Sequence, residues 1–316
     1  MTDLIRTLVL GVVEGITEFL PVSSTGHMLL FEHAMGTKTL QPNWFWNMFT
    51  VFIQIGAIFA VVVYFRERIM NLLRGGEPRM RGESGMTPLE IAQRAPVTPS
   101  ARAEASAATS VAELPAAKSR GTSISPLLLI VIATIPVLIV GYLTHKWVEE
   151  HVEDSPLFIG LALGIGGVIM IVIEMFRPPV TTHKIEQMTL GQALGIGCCQ
   201  ILAAVFPGTS RSASTIMPGM LMGMSRESAA EFSFFLAIPA MFAACGYSLL
   251  KEMRQHGLDA QQWMLLIIGT LLAFLVAWVV IAAFMNFIRR NSFVGFGVYR
   301  IILSIVVLVW MVWLNK

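Results

Sequence analysis

The sequence predicts an all-α polytopic membrane protein: an inverted-topology repeat with about six transmembrane helices and two re-entrant helical hairpins. Three observations predict it. Hydrophobic residues make up 55% of the 316-residue chain and charged ones only 13%, against roughly 25% charged in a soluble domain, and mean hydropathy is +0.70. Apolar runs near the ~20 residues that cross a bilayer recur along the chain. Two further apolar stretches are broken near their middles by proline and a run of hydroxyl residues, the pattern of discontinuous helices at a repeat interface.

Taken in order, Leu4–Phe31 is the first broken stretch, interrupted by Pro21-Val-Ser-Ser-Thr-Gly26. Non-helical backbone at membrane depth is tolerated only where protein or a water-filled cavity covers it, so residues 4–31 read as a hairpin that enters and leaves on one side. Spans follow at Phe45–Phe65, Pro126–Leu143 and Leu157–Phe176, completing a first repeat over 1–176. Leu190–Met222, broken at Pro207-Gly-Thr-Ser-Arg-Ser212, reads as the second hairpin, 190–222. It opens a second repeat over 190–316 with spans at Phe232–Leu250, Trp263–Phe287 and Phe293–Leu314. The whole reads as one membrane domain, 1–316. Asp3 and Arg6 give a weak start for a signal peptide, and the apolar run leads into a polar motif, so the N-terminal stretch is expected to belong to the mature fold.

Residues 75–123 differ in kind, with ten alanines, five prolines, five glycines and no aromatic residue. Such a stretch buries too little apolar surface to offset its ordering entropy and reads as a disordered loop, with a short capped helix over Thr87–Arg94 as the alternative. Nine Lys/Arg lie between Arg66 and Arg120, Arg177 and Lys184 follow the third span, and Arg289-Arg290 the fifth. The stretch His145–Asp154 instead carries Glu149, Glu150, Glu153 and Asp154 against Lys146. The excess of cytoplasmic Lys/Arg in such proteins puts loop 75–123 inside, the acidic stretch and both termini outside, and the two hairpins on opposite faces. Cys198, Cys199 and Cys245 all sit in apolar runs and read as buried small hydrophobes. No basic run with interleaved aromatics points to nucleic acid.

The two broken stretches are variants of one pattern. Gly11-Val-Val-Glu14-Gly-Ile-Thr-Glu18-Phe-Leu-Pro21-Val-Ser23-Ser24-Thr25-Gly26-His27 aligns by its proline with Gly197-Cys-Cys-Gln200-Ile-Leu-Ala-Ala-Val-Phe-Pro207-Gly208-Thr209-Ser210-Arg211-Ser212. Gly11 then falls on Gly197, Glu14 on Gln200, Ser23 on Thr209 and Ser24 on Ser210. Glu14 and Glu18, four apart, share a helix face at about 6 Å. Burying both ionised costs several kcal/mol, so a divalent cation, a buried arginine or a shared proton must compensate. His27 closes the first motif at a helix break and has the near-neutral chemistry of an acid/base, while Ser23 or Ser24 could cap the returning half-helix. Arg211 is the only charge between Glu186 and Arg226. Its guanidinium fork, flanking hydroxyls and a helix N-terminus make a phosphate cradle; a salt bridge to Glu14 or Glu18 is the structural alternative. Together these groups point to metal-assisted phosphoryl transfer.

At these residues the chain resembles the undecaprenyl-diphosphatase family, the membrane undecaprenyl pyrophosphate phosphatases also called bacitracin resistance proteins. Glu14–His27 resembles the family's first motif and Pro207-Gly-Thr-Ser-Arg-Ser-Ala-Ser-Thr215 its second. Ala229-Ala-Glu-Phe-Ser-Phe-Phe-Leu-Ala-Ile-Pro239 resembles the stretch that follows. The resemblance implies hydrolysis of undecaprenyl diphosphate to undecaprenyl phosphate, which recycles the lipid carrier for peptidoglycan synthesis and confers bacitracin resistance. It implies a site open to the outer face of the bacterial inner membrane and a divalent cation, Mg or Ca, held by Glu14 and Glu18. Ser24 is then the candidate nucleophile, with water the alternative, and His27 the acid/base. Ser23, Thr25, Ser210, Arg211, Ser212 and Thr215 are the candidate phosphate-binding residues. The expected partners are a polyprenyl diphosphate lipid and the bilayer, with room for a homodimer and no nucleic acid. Loop 75–123 looks like an insertion relative to the family.

Lipid phosphatases of the acid-phosphatase superfamily are excluded. They require a histidine and an aspartate at the positions held here by Met217 and Leu221 after Ser210-Arg211. A lipid or anion transporter is the competing class, since broken helices at a repeat interface are transporter architecture. A purely structural component would leave the buried polar residues unexplained.

Overall fold

The computed structural model describes residues 2–36, 43–74, 124–152 and 155–314, and every named element among them is helical. Loop 75–123 and the helix expected within it lie outside the described residues. In chain order the helices are α1 (Thr2–Thr17), α2 (Ser24–Ala34), α3 (Asn43–Phe52), α4 (Gln54–Tyr64), α5 (Arg66–Leu73), α6 (Pro126–His151) and α7 (Pro156–Phe176). After a short 3₁₀ turn at Ile185–Gln187 come α8 (Leu190–Val205), α9 (Arg211–Leu221), α10 (Arg226–Gln255), α11 (Ala260–Arg290) and α12 (Val294–Leu314).

Five helical stretches among the described residues are long and apolar enough to cross a membrane: Trp44–Tyr64, Pro126–Val148, Pro156–Phe176, Arg226–Gln255 and Ala260–Arg290. Helix α12 follows as a further apolar helix of 21 residues. The protein is an all-α polytopic membrane protein. Two spans differ from the sequence reading. The first is not one helix but two, with a break at Ile53 between α3 and α4. The stretch expected to form an acidic loop after Leu143 is largely helical, because α6 meets no breaker before the Ser155-Pro156 start of α7 and runs on to His151. Of the three cysteines, only Cys245 is buried; Cys198 is exposed, and all three are free.

The two broken stretches are each a pair of short helices, α1–α2 and α8–α9, joined by a tight turn. Their first helices dock in matching ways on the opposite half of the chain. Helix α1 packs chiefly on α11 and α8 on α6. Gly11 makes the first contact close: a Cβ there would lie 3.0 Å from the Gly269 carbonyl oxygen, and a Cβ at its counterpart Gly197 would collide with the carbonyl of Ala133 on α6. Helices α7 and α12, the last of each half, pack on one another, with Ser304 Oγ donating to the Gly160 carbonyl at 2.6 Å. The end of the bundle that bears α5 is tied by ion pairs. Arg68 bonds both Glu186 and Glu231, each at 2.6 Å, and Arg226 pairs with Glu174.

Candidate active site

Two serines set the geometry of the site. Ser23 (φ 71°) and Ser210 (φ 72°) are the only non-glycine residues with positive φ among the described residues. Each is the N-cap of the returning half-helix: Ser23 Oγ accepts from the Gly26 N–H and Ser210 Oγ from the Ala213 N–H. Left-handed backbone at a non-glycine residue costs on the order of 1–3 kcal/mol and persists where the surroundings enforce it. The serines therefore mark equivalent points, and this corrects the proline-based register. Ser23 corresponds to Ser210, not to Thr209, and Ser24 to Arg211. The second turn is one residue longer because Gly208, at φ 93°, is inserted between its proline and its cap. A Cβ on Gly208 would lie 2.7 Å from the Ile159 carbonyl oxygen, so the position admits no side chain.

With the turns in place, groups from both hairpins meet. Glu18 is the hinge of the arrangement. Its Oε2 accepts from Ser24 Oγ at 2.7 Å, and its Oε1 accepts from Arg211 Nη2 at 3.2 Å and Nε at 3.3 Å. Arg211 also donates to the Ser233 carbonyl at 3.4 Å and lies over the Phe19 ring. Of the compensations open to the buried carboxylates, Glu18 has the arginine. Glu14, 1% exposed, instead shares a side-chain hydrogen bond with Glu18, and its Oε1 has no hydrogen-bond partner. Gln200, its counterpart in the second hairpin, is 2% exposed with its Oε1 equally unpartnered.

A cavity of about 510 Å³ starts at Glu14, Ser24 and Thr25 and runs toward His145 on α6 and Lys251 and Glu252 on α10. It therefore opens at the end of the bundle away from α5 and the chain ends that flank residues 75–123. Of the expected site residues, the structure brings Glu14, Glu18, Ser24, Thr25 and Arg211 to the inner end of this cavity or directly behind it. The other hydroxyls have partners within the protein. Ser212 Oγ donates to the Leu20 carbonyl at 2.9 Å and joins the two hairpins. Ser210 and Ser212 hydroxyls lie 3.0 Å apart, and Thr215 is bonded to Ser233 at 2.6 Å.

His27 is held away from Ser24. Its Nδ1 lies 2.7 Å from the Ser23 carbonyl, which only accepts, so Nδ1 carries the proton. In the neutral ring Nε2 then accepts from the Tyr299 hydroxyl, also at 2.7 Å. Tyr299 and its neighbour Arg300, both on α12, are site residues that the sequence reading missed. The available signal was an arginine two turns into a 21-residue apolar helix, since intramembrane charges are seldom idle. Arg300 is fully buried and donates to the carbonyls of Pro21 and Gly208 in the two turns.

The donor set also bears on the metal. Among the described residues no cluster of three or more His, Cys, Asp or Glu side chains forms a protein cage. The unpartnered Glu14 oxygen, with Glu18 on the same helix face, instead suits a hard divalent cation. Such ions commonly take one or two carboxylates and complete their shell with water and substrate phosphate oxygens.

Comparison with known proteins shows the family. A family model described as bacitracin resistance protein BacA matches residues 7–306. The chain is 39% identical over 321 residues to the undecaprenyl-diphosphatase of Koribacter versatilis (strain Ellin345), across 98% of this chain and 99% of that one. It is 36% identical to the undecaprenyl-diphosphatase of Caldanaerobacter subterraneus subsp. tengcongensis, across 98% and 96%. It is also 36% identical to undecaprenyl-diphosphatase 2 of Paramagnetospirillum magneticum, across 94% and 95%. With both hairpin motifs inside the matched region, the chain belongs to the bacitracin resistance protein BacA family.

Proposed function

We propose that this protein hydrolyses undecaprenyl diphosphate to undecaprenyl phosphate and inorganic phosphate. The observation that carries the reading is Glu18, whose carboxylate touches a hydroxyl from its own hairpin, Ser24, and a guanidinium from the other, Arg211. In this reading Ser24 Oγ attacks the terminal phosphorus and passes its proton to Glu18. The anhydride bond breaks, and undecaprenyl phosphate leaves. The departing lipid phosphate takes up that proton, and the freed Glu18 carboxylate accepts one from water, which attacks the phosphorus on Ser24. The proton returns to Ser24 Oγ as inorganic phosphate leaves. Arg211 and the N–H groups opening α2 and α9 neutralise charge on the phosphoryl oxygens, where most of the catalysis of phosphoryl transfer resides. A divalent cation bound by Glu14 and Glu18 would supply further charge neutralisation. His27, bonded to the Ser23 carbonyl, orients the strained turn that presents Ser24.

The matching docking of α1 on α11 and α8 on α6 supports two inverted repeats, 1–176 and 190–316, with hairpins 4–31 and 190–222. The Lys/Arg excess at the end opposite the cavity supports a bacterial inner-membrane protein whose site faces the periplasm and whose loop 75–123 is cytoplasmic. Its product would return to peptidoglycan synthesis, and its activity would counter bacitracin. All the reacting side chains come from one chain, so a homodimer would carry two independent sites.

The test is phosphate release from undecaprenyl diphosphate by the purified protein in detergent with Mg²⁺. The expected result is one phosphate per lipid, lost on chelation and restored by added cation. Lipid transfer across vesicles without phosphate release would overturn the reading in favour of transport.

A further inference from the structure

Arg300 is the largest fully buried side chain among the described residues. All four of its acceptors are backbone carbonyls. Nη1 donates to Pro21 at 3.3 Å, Nη2 to Gly208 at 3.2 Å and Ala162 at 3.3 Å, and Nε to Leu163 at 3.4 Å. Pro21 belongs to the turn of the first hairpin and Gly208 to the turn of the second. Gly166 on α7 leaves the space the guanidinium occupies, since a Cβ there would collide with Nη2. No carboxylate pairs with Arg300 among the described residues.

An arginine buried in a membrane helix without a counter-ion is costly. Carbonyls at a helix break lack their ordinary intrahelical donors. Only a guanidinium, with five N–H groups in a rigid fork, can satisfy carbonyls from four directions; an ammonium is a compact charge with three donors. We infer that Arg300 is a positioning residue that locks the two hairpin turns in register, so that Ser24 and Glu18 from one hairpin meet Arg211 from the other. It touches none of the reacting groups. The inference rests on the phosphatase reading for its consequence in turnover, but not for its consequence in the turns.

The test compares wild type with Arg300→Lys, Arg300→Gln and Ser304→Ala, each in the full chain. Ser304 serves as a control because it joins α12 to α7 without reaching either turn. Amide hydrogen exchange by mass spectrometry reads peptides covering residues 19–24 and 206–211. Steady-state assays on undecaprenyl diphosphate give kcat and KM per folded molecule. Both turns are expected to exchange at least tenfold faster in the two Arg300 variants and at the wild-type rate in Ser304→Ala. Turnover in the Arg300 variants is expected to fall about 100-fold while KM moves less than threefold, the signature of lost transition-state alignment rather than lost binding. Unchanged exchange in both turns, or turnover within threefold of wild type in Arg300→Lys, would overturn the assignment. A wild type that releases no phosphate would count against the phosphatase reading alone, and the exchange measurement would still decide the role of Arg300.

Discussion

The two hairpins are alike in backbone and opposite in charge. Both carry a glycine that lets the first helix dock closely, a proline turn, a serine cap at φ near 70° and a returning helix of 11 residues. The first holds Glu14, Glu18 and His27; the second holds Gln200, Ala204 and Ser214 at the corresponding points, and Arg211 where the first has Ser24. Backbone strain is common to the pair, so it belongs to the architecture. The acids and the cation are divided between the copies, so the chemistry depends on bringing the copies together. The Glu18–Arg211 bond is where that happens, and the Ser212–Leu20 bond and Arg300 hold the turns close enough for it.

The sharpest way to break the comparison is to remove the charges of the acidic copy one at a time. Glu18→Gln deletes the proton acceptor of Ser24 and the partner of Arg211, and turnover is expected to fall on the order of 10³-fold. It also leaves a largely buried guanidinium without its carboxylate, so the melting temperature should fall too. Glu14→Gln installs the residue of the second hairpin in the first. Turnover should fall by about 10²-fold or more, but the melting temperature should hold or rise, because a carboxyl buried against the like-charged Glu18 is replaced by a neutral amide that can still bond it. Thermal melts and phosphate-release rates of both variants in one detergent decide this. A reversed order of stabilities would mean that Arg211 serves Glu14 rather than Glu18.

Arg211→Lys probes the cationic copy. Lysine keeps a charge opposite Glu18, so stability should fall less than in Glu18→Gln, which leaves one partner of this buried pair alone. It loses the planar fork that could engage a carboxylate and a phosphate oxygen together, so kcat should fall by about 10²-fold with a smaller rise in KM. A lysine variant that retains more than about half of wild-type turnover would reduce Arg211 to a structural salt bridge.

How far the sequence foretells this site depends on the kind of signal. Polar residues inside apolar runs are conspicuous, so Glu14, Glu18, Ser24 and Arg211 are all legible, as are the two hairpins that carry them. The pairing of Glu18 rather than Glu14 with Arg211 is not, because both glutamates share a helix face and only the depth of the turn selects one. Aligning prolines miscounts the second turn by one residue, since the cap is fixed where the half-helix starts and not where the proline sits; Gly208 is the extra residue. His27 looks like a free acid/base from its neighbours in sequence, yet Tyr299, 272 residues away, occupies its Nε2. Long-range partners of that kind leave no local pattern. The break at Ile53 is nearly as silent, for Gln54 and Gly56 are too slight an interruption of an apolar run to predict it.

The smallest expected effect tests the feature the two hairpins share. At most positions glycine is a worse choice than alanine, because it loses more backbone freedom on folding, by roughly 0.5–1 kcal/mol. At Ser23 and Ser210 the order should invert. Alanine would keep the left-handed strain and lose the capping oxygen, costing about 1 kcal/mol. Glycine would relieve the strain and, as a tolerated N-cap, lose only a few tenths for the missing hydroxyl. Ser23→Gly and Ser210→Gly should therefore melt at or slightly above wild type, Ser23→Ala and Ser210→Ala below it, with the same sign at both turns. Turnover of the glycine variants should stay within a few-fold of wild type, since neither hydroxyl bonds Glu18, Ser24 or Arg211 side chains. If alanine outperforms glycine at one turn but not at the other, the two turns do not share one strained geometry. The correspondence of Ser23 with Ser210 would then give way to the proline-based register.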